Sequence, residues 1–304
     1  MPPRLIINAD DFGLTRGVNR AIEELHRAKV LTSTTLMATG PAFDDAVTIA
    51  HANPNLGVGC HLVLTDGVPV LPPERIPTLV GPDRKTFRPS LIDFLQALLR
   101  GKIREAEIHA EALAQIQKLQ RAGIAPTHID THKHTHLFSR VCRPMLNAAE
   151  QSSIHAIRQP FEQPWSLALR HGSRLRRLQV NLLGWLKTRF EHQPQIRSRT
   201  ILTPDGTIGI SATGNLYRES LHELLNAMPP EGTFELVCHP GYNDSDLDRI
   251  VTRLRAHRDI EREALLAEVP AITLHPNAPQ LIHYGDLVAG QRQQFMSNTQ
   301  PESV

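Results

Sequence analysis

Four histidines and an aspartate occupy alternate positions of Thr127-His128-Ile129-Asp130-Thr131-His132-Lys133-His134-Thr135-His136. In an extended strand, residues two apart point to one face, so this stretch predicts a strand presenting five metal-competent groups together. A wholly apolar core would not accept such a face. Residues four apart on a strand stand about 13 Å apart, too far to share one ion. The strand is therefore expected to supply one histidine, or two adjacent same-face ones, to a single ion, with His132 the preferred ligand. His134 and His136 are expected at the mouth or on the loop, with His128 and Asp130 deeper.

Other predicted strand ends supply partners. Asp10 and Asp11 follow Leu5-Ile6-Ile7, His61 lies near the end of run 56–62, Arg158 ends run 154–158, and His239 follows run 233–238. Asp11, His61 and His132 amount to one carboxylate and two imidazoles with positions left for water, a catalytic rather than a structural metal site. Asp10 is then placed to take a proton from metal-bound water, which is acidic enough near neutral pH. His239 is placed to protonate a leaving amine, and Arg158 to orient Asp10 or bind a substrate oxygen. Each residue type also has a plainer use. Asp-Asp is a common helix cap or turn pair, a histidine in His-Pro-Gly can bond backbone, and a strand-end arginine can form an ordinary ion pair. Cys60 and Cys238 each precede a candidate histidine, so in a strand they face the helices as packing residues.

The elements needed to bring these residues together follow from periodicity. Apolar runs with β character at 5–7, 30–37, 56–62, 154–158 and 233–238 alternate with helical patterns at 16–28, 44–52, 91–99, 103–121, 138–149 and 217–227. A long charged helix is expected from 247 to 268, and a last strand near 271–274 or 281–284. Alternating strands and helices imply a parallel sheet. About seven such units in 304 residues predict an α/β fold, a single irregular (β/α) barrel whose strand C-termini meet at one mouth. One domain, 1–290, is expected, with 291–304 as a flexible tail. The Pro- and Gly-rich stretch 65–89 reads as a long loop over the fold.

The insertion 159–199 breaks the rhythm. It holds both tryptophans, the run Arg174-Leu175-Arg176-Arg177, and leucines at helical spacing. It reads as a basic amphipathic helical insertion. Either it is a cover helix with a solvated basic face, or residues 165–190 contact an anionic membrane or a lipid-linked substrate. The net charge of +2 gives no case for nucleic acid. Three cysteines without Cys-x-x-Cys spacing exclude a disulfide framework and a thiolate zinc knuckle. Neither a signal peptide nor a transmembrane run is visible, so the expectation is a cytoplasmic protein. Its oligomeric state, including a homodimer, stays open.

Asn8-Ala9-Asp10-Asp11-Phe12-Gly13, Gly59-Cys60-His61-Leu62-Val63-Leu64-Thr65, the histidine stretch and His239-Pro240-Gly241 together resemble the YdjC-like carbohydrate deacetylases, nearly end to end. That family includes chitooligosaccharide and hopanoid-biosynthesis-associated deacetylases. The resemblance implies a deformed (β/α) barrel, magnesium, and hydrolysis of an N-acetyl group on a sugar or glycolipid. Asp11, His61 and His132 match the family's metal ligands, and Asp10 its proposed base. The donor set itself suits zinc or manganese at least as well. A metal-dependent phosphoesterase would want a Gly-rich anion loop at a strand end, and none is convincing. A non-catalytic metal- or sugar-binding barrel would have a substituted base position, whereas Asp10 is present.

Overall fold

The computed structural model describes residues 2–250 and 252–298, with side chains described as far as residue 291. Six parallel strands form a curled sheet in the order β4-β3-β2-β1-β6-β5. They are β1 Arg4–Phe12, β2 Ser33–Leu36, β3 Gly57–Leu62, β4 Ile129–Thr131, β5 Gly206–Ile208 and β6 Thr233–Cys238. A seventh, β7 Gln280–Leu281, pairs with the start of β1 at Arg4 and Leu5. Helices α1 Arg16–Arg27, α2 Phe43–Ala52, α3 Leu91–Leu99, α4 Glu105–Arg121 and α5 Ser139–Gln151 fill the first half. Short helices α6 Pro164–Ala168, α7 Arg174–Leu183, α8 Lys187–Glu191 and α9 Pro194–Arg197 make up the insertion. Helices α10 Arg218–Asn226, α11 Ala256–Thr273 and α12 Tyr284–Asn298 follow. No helix among the described residues is long and apolar enough to cross a membrane.

The α/β class holds, and the expected irregular (β/α) barrel is an open, curled sheet rather than a fully closed barrel. Regular ladders stop at β4 on one edge and β5 on the other. Among the described residues only single bridges, Ile129 to Ile157, Ala156 to Leu202 and Glu162 to Thr207, span the gap. The expected strand at 154–158 is reduced to the two single bridges at Ala156 and Ile157. The long helix expected from 247 is also shorter. Leu247–Arg249 form one 3-10 turn, Ile250 is extended (ψ 133°), and α11 begins at Ala256. Residues 271–273 belong to α11, and the last strand is β7. The segment from 291 continues α12 to Asn298, and 299–304 lie outside the described residues.

The interior strands are buried on both faces, as parallel strands under helices must be, which is why they read as apolar runs. β1 is the middle of the sheet: Leu5, Ile6, Ile7 and Ala9 are fully buried, and β6 pairs with it residue by residue from Arg4 to Ala9. Thr15 caps α1 by accepting the Val18 N–H at 3.1 Å, and the apolar stripe Val18, Ile22 and Leu25 docks that helix on the core. Gly59 is required by a close approach. A Cβ there would come within 2.5 Å of the His128 ring, which instead stacks on Tyr284 with ring centres 3.8 Å apart.

The long loop expected at 65–89 is held down by one face of α4. Glu107, Glu111 and Gln115, spaced four apart, are all buried. Glu111 accepts the N–H groups of Val70 and Leu71, Glu107 accepts that of Thr78, and Gln115 bonds both backbone groups of Val63. Each carboxylate or amide satisfies loop backbone that would otherwise be buried unpaired.

Candidate metal centre and active site

Asp10 and Asp11 lie inside β1, not after it. Successive strand residues normally face opposite ways, and a local defect removes that conflict. The pairing of β1 with β2 shifts register between Ala9 and Phe12, and Asp11 sits at φ 68°. Aspartate tolerates this left-handed conformation better than most residues. The bulge aims both carboxylates at the end of the sheet, where each is only 3% exposed.

Three donor atoms converge there. Asp11 Oδ1 lies 3.5 Å from His61 Nε2 and 3.4 Å from His132 Nδ1, and the two ring nitrogens are 3.3 Å apart. Two ligand atoms each about 2.1 Å from one ion stand about 3.0 to 3.4 Å apart at octahedral or tetrahedral angles. Asp11 Oδ1 is buried and accepts no hydrogen bond, an expensive state for a carboxylate oxygen without a cation. The residues therefore fit a divalent ion, and Asp11, His61 and His132 form a candidate metal site.

His61 is oriented by Asp130. The two are register neighbours on β3 and β4, and His61 Nδ1 donates to Asp130 Oδ1 at 2.7 Å, leaving Nε2 to face Asp11 and His132. A carboxylate behind the ring fixes the tautomer a metal ligand needs. Burial lowers the His61 pKa, but Asp130, Asp10 and Asp11 outweigh it and raise the pKa to about 9. Asp10, His61 and Asp130 also lie close enough to form a second acidic cluster. A cation already occupies it: the fully buried Arg158 contacts both carboxylates.

Arg158 binds Asp10 through two bonds, Nη2 to Oδ1 at 2.6 Å and Nη1 to Oδ2 at 2.9 Å, and its Nε donates to Glu235 Oε1 at 2.9 Å. Glu235 Oε2 in turn accepts the Tyr284 hydroxyl at 2.6 Å. Burial pushes the Asp10 pKa up, yet Arg158, His61 and His239 hold it well below the usual carboxylate range. His239 Nε2 lies 3.7 Å from Asp10 Oδ2, and the His239 N–H donates to Glu261 Oε2 at 2.6 Å. Burial dominates over the nearby carboxylates and lowers the His239 pKa to about 4, so the ring is neutral near pH 7.

All six residues singled out in the sequence thus meet at one end of the sheet, although the even face of the histidine stretch does not survive. β4 stops at Thr131, and Lys133 (φ 58°) and His134 (φ 51°) turn left-handed inside a 3-10 segment, His132–Leu137. His134 and His136 lie on this turn, the loop side of the expectation, with His136 buried and His134 half-buried. His136 Nδ1 bonds the Thr131 hydroxyl at 2.7 Å, and burial holds the His134 pKa well below normal. His128 Nε2 bonds Asn8 Oδ1 at 3.1 Å. These three imidazoles build the wall behind His132.

Two participants were not found in the sequence. Arg258 Nη2 donates to Asp11 Oδ2 at 2.6 Å, and Glu261 accepts the His239 N–H. Both are buried on α11, where the expectation was only a long charged helix. A signal existed: Arg258, Glu261, Leu265 and Val269 recur at i, i+3, i+7 and i+11, the same stripe as the buried leucine and valine.

The family described as YdjC-like protein matches residues 4–272. A carbohydrate deacetylase of Geobacillus stearothermophilus is 41% identical over 247 residues, 81% of this chain and 83% of that one. One of Brevibacillus brevis is 31% identical over 286 residues, 93% of this chain and 99% of that one. Among solved structures, an Enterococcus faecalis V583 protein named for cellobiose-phosphate cleavage superimposes with a TM-score of 0.71 at 27% identity. That likeness covers 94% of this chain and 99% of the other.

Proposed function

This chain belongs to the YdjC-like protein family, and we propose that it hydrolyses the N-acetyl group of an acetylated aminosugar in a metal-dependent reaction. The observation that carries the reading is the unpartnered Asp11 Oδ1 facing two imidazole nitrogens, with a second carboxylate, Asp10, clamped beside it. The deacetylase names of its relatives support the substrate class. Asp11, His61 and His132 would hold the ion. When bound, a divalent ion there supplies a Lewis acid and lowers the pKa of water toward neutrality.

The chain's own groups do the rest. Asp10 stays ionised against Arg158 and accepts the proton that water loses as it attacks the acetyl carbon. His239, neutral at rest and 3.7 Å from Asp10, receives that proton from Asp10 and passes it to the departing nitrogen as the C–N bond breaks. Acetate leaves with the amine in its ammonium form, the nitrogen taking both protons of the consumed water, so atoms and charge balance. Arg158 fixes the Asp10 rotamer through its two parallel bonds, and Asp130 does the same for His61. Magnesium, manganese and zinc all fall within the donor set, and three free, buried cysteines accord with a reducing cytoplasm.

The test is acetate release from N-acetylglucosamine oligomers and from an N-acetylated glycolipid. Protein stripped with chelator is assayed before and after each metal is restored. Activity should vanish on stripping and return with metal. Release that is indifferent to chelator overturns the reading. Phosphate release from a phosphorylated disaccharide, with no acetate from any acetylated sugar, would favour a phosphoesterase instead.

A further inference from the structure

The insertion carries an apolar stripe that the fold does not use. On α7 and the turn after it, Leu175, Leu178, Leu182 and Trp185 recur at i, i+3, i+7 and i+10, and they are 66, 55, 53 and 83% exposed. Other apolar side chains of the same segment are already used. Leu183 and Leu186 pack on the core, and Phe190 is buried against Phe161. A segment that merely covers a core needs only the side chains that pack on it, and these four large apolar groups are surplus to that.

The stripe sits in a basic setting. Between residues 163 and 204 there are eight arginines and lysines and one acid, Glu191, in a chain whose net charge is only +2. Arg170, Arg174 and Arg189 are exposed, and among the described residues none of them forms an ion pair. Ser173 caps the helix by accepting the Arg176 N–H at 3.2 Å, so the segment is a formed helix rather than a loop. It is also fixed beside the site. Arg176 Nε donates to the Ile210 carbonyl past the end of β5, and Phe190 lies next to the His136 ring.

We infer that this stripe, with its basic collar, docks the protein on an anionic lipid bilayer and brings the active-site mouth to that surface. Large apolar side chains between unpaired cations are what an in-plane interfacial helix presents to acyl chains and anionic headgroups. A protein partner would have to match both the leucine stripe and the cations, and a second copy of this chain would bring like charge against like. The inference does not depend on the proposed chemistry, because docking needs no turnover.

The experiment is co-sedimentation of the full chain with vesicles of phosphatidylcholine alone and of phosphatidylcholine mixed with phosphatidylglycerol, at low and high salt. Wild-type protein should bind the anionic vesicles at least tenfold better, and salt should weaken that binding. The double variant Leu178→Ser, Trp185→Ser should lose it, as should Arg170→Glu, Arg174→Glu. All of these positions are exposed, and the melting temperature should confirm folding. Acetate release from a short soluble oligosaccharide should be unchanged, so failure of docking and failure of the deacetylase reading are told apart. Equal recovery with neutral and anionic vesicles, or full binding by the serine variant, overturns the inference. So does a dimer that the serine substitutions dissociate in a chain that never binds vesicles.

Discussion

Asp10 and Asp11 are neighbours in sequence, equally buried, and each is held by an arginine, yet the two grips leave different chemistry. Arg158 takes both oxygens of Asp10 and, with the same guanidinium, contacts Asp130 and Glu235. Arg258 takes only Oδ2 of Asp11 and leaves Oδ1 facing His61 and His132. One carboxylate is locked in place as an anion. The other is half free, with its free oxygen aimed where a cation would sit. The number of oxygens each arginine occupies thus separates a proton-handling group from a ligand, although both are aspartates on one strand.

The sharpest way to break that distinction is to neutralise each carboxylate in turn. Asp11→Asn and Asp10→Asn should each lower amide hydrolysis by about a thousandfold, within the range expected for losing a ligand or a proton acceptor. Only Asp11→Asn should abolish the rise in melting temperature that added metal produces. If Asp10→Asn loses that rise as well, Asp10 is a ligand and the division of labour is wrong.

Removing the arginines comes next. Arg158→Met strands three buried carboxylates and should cost about 3–5 kcal/mol in chemical denaturation. Arg258→Met strands one, and in metal-loaded protein the ion compensates for it, so about 1–3 kcal/mol is expected there. The cost of Arg258→Met should shrink when metal is present, and that of Arg158→Met should not. Equal metal dependence of the two would mean that Arg258 does not share Asp11 with an ion.

The same contrast explains what could be read from the sequence. The runs at β1, β3 and β6 were legible because buried parallel strands are apolar on both faces. Asp10, Asp11, His61 and His239 were legible because each stands at such a run's carboxyl end. The histidine stretch misled because alternation assumes an extended chain. Nothing in Lys133 or His134 announces a left-handed backbone. That turn rests on contacts made from elsewhere, the Thr131 hydroxyl on His136 and Asp66 on Lys133. Strand register, which sets Asp130 behind His61, is likewise a property of the assembled sheet. Arg258 was hidden because charge on a helix normally signals solvent, and barrel closure because regular pairing and single bridges leave the same apolar trace.

The smallest effect expected is on pH dependence, and it separates the two imidazoles that flank the carboxylates. His239 has its pKa lowered to about 4 in the folded protein, against an ordinary value of about 6.5. The unfolded chain binds the extra proton between those values, so stability is complete above about 6.5 and is lost as pH falls toward 4. His61 is shifted the other way, to about 9, so its contribution is complete below about 6.5 and is lost as pH rises through 9. Each limb should be worth about 1–3 kcal/mol. Chelated protein should therefore lose stability from His61 on the alkaline side and from His239 on the acid side, and His239→Gln should flatten the acid side alone. Metal should remove the alkaline loss, because a ligand imidazole has already given up its Nε2 proton. The same event should release close to one proton on metal binding near pH 7.5, measurable by titration calorimetry in buffers of different ionisation enthalpy. Metal binding without proton release would leave His61 unliganded, and the ion would then have to sit on the Asp11 side with His132 alone.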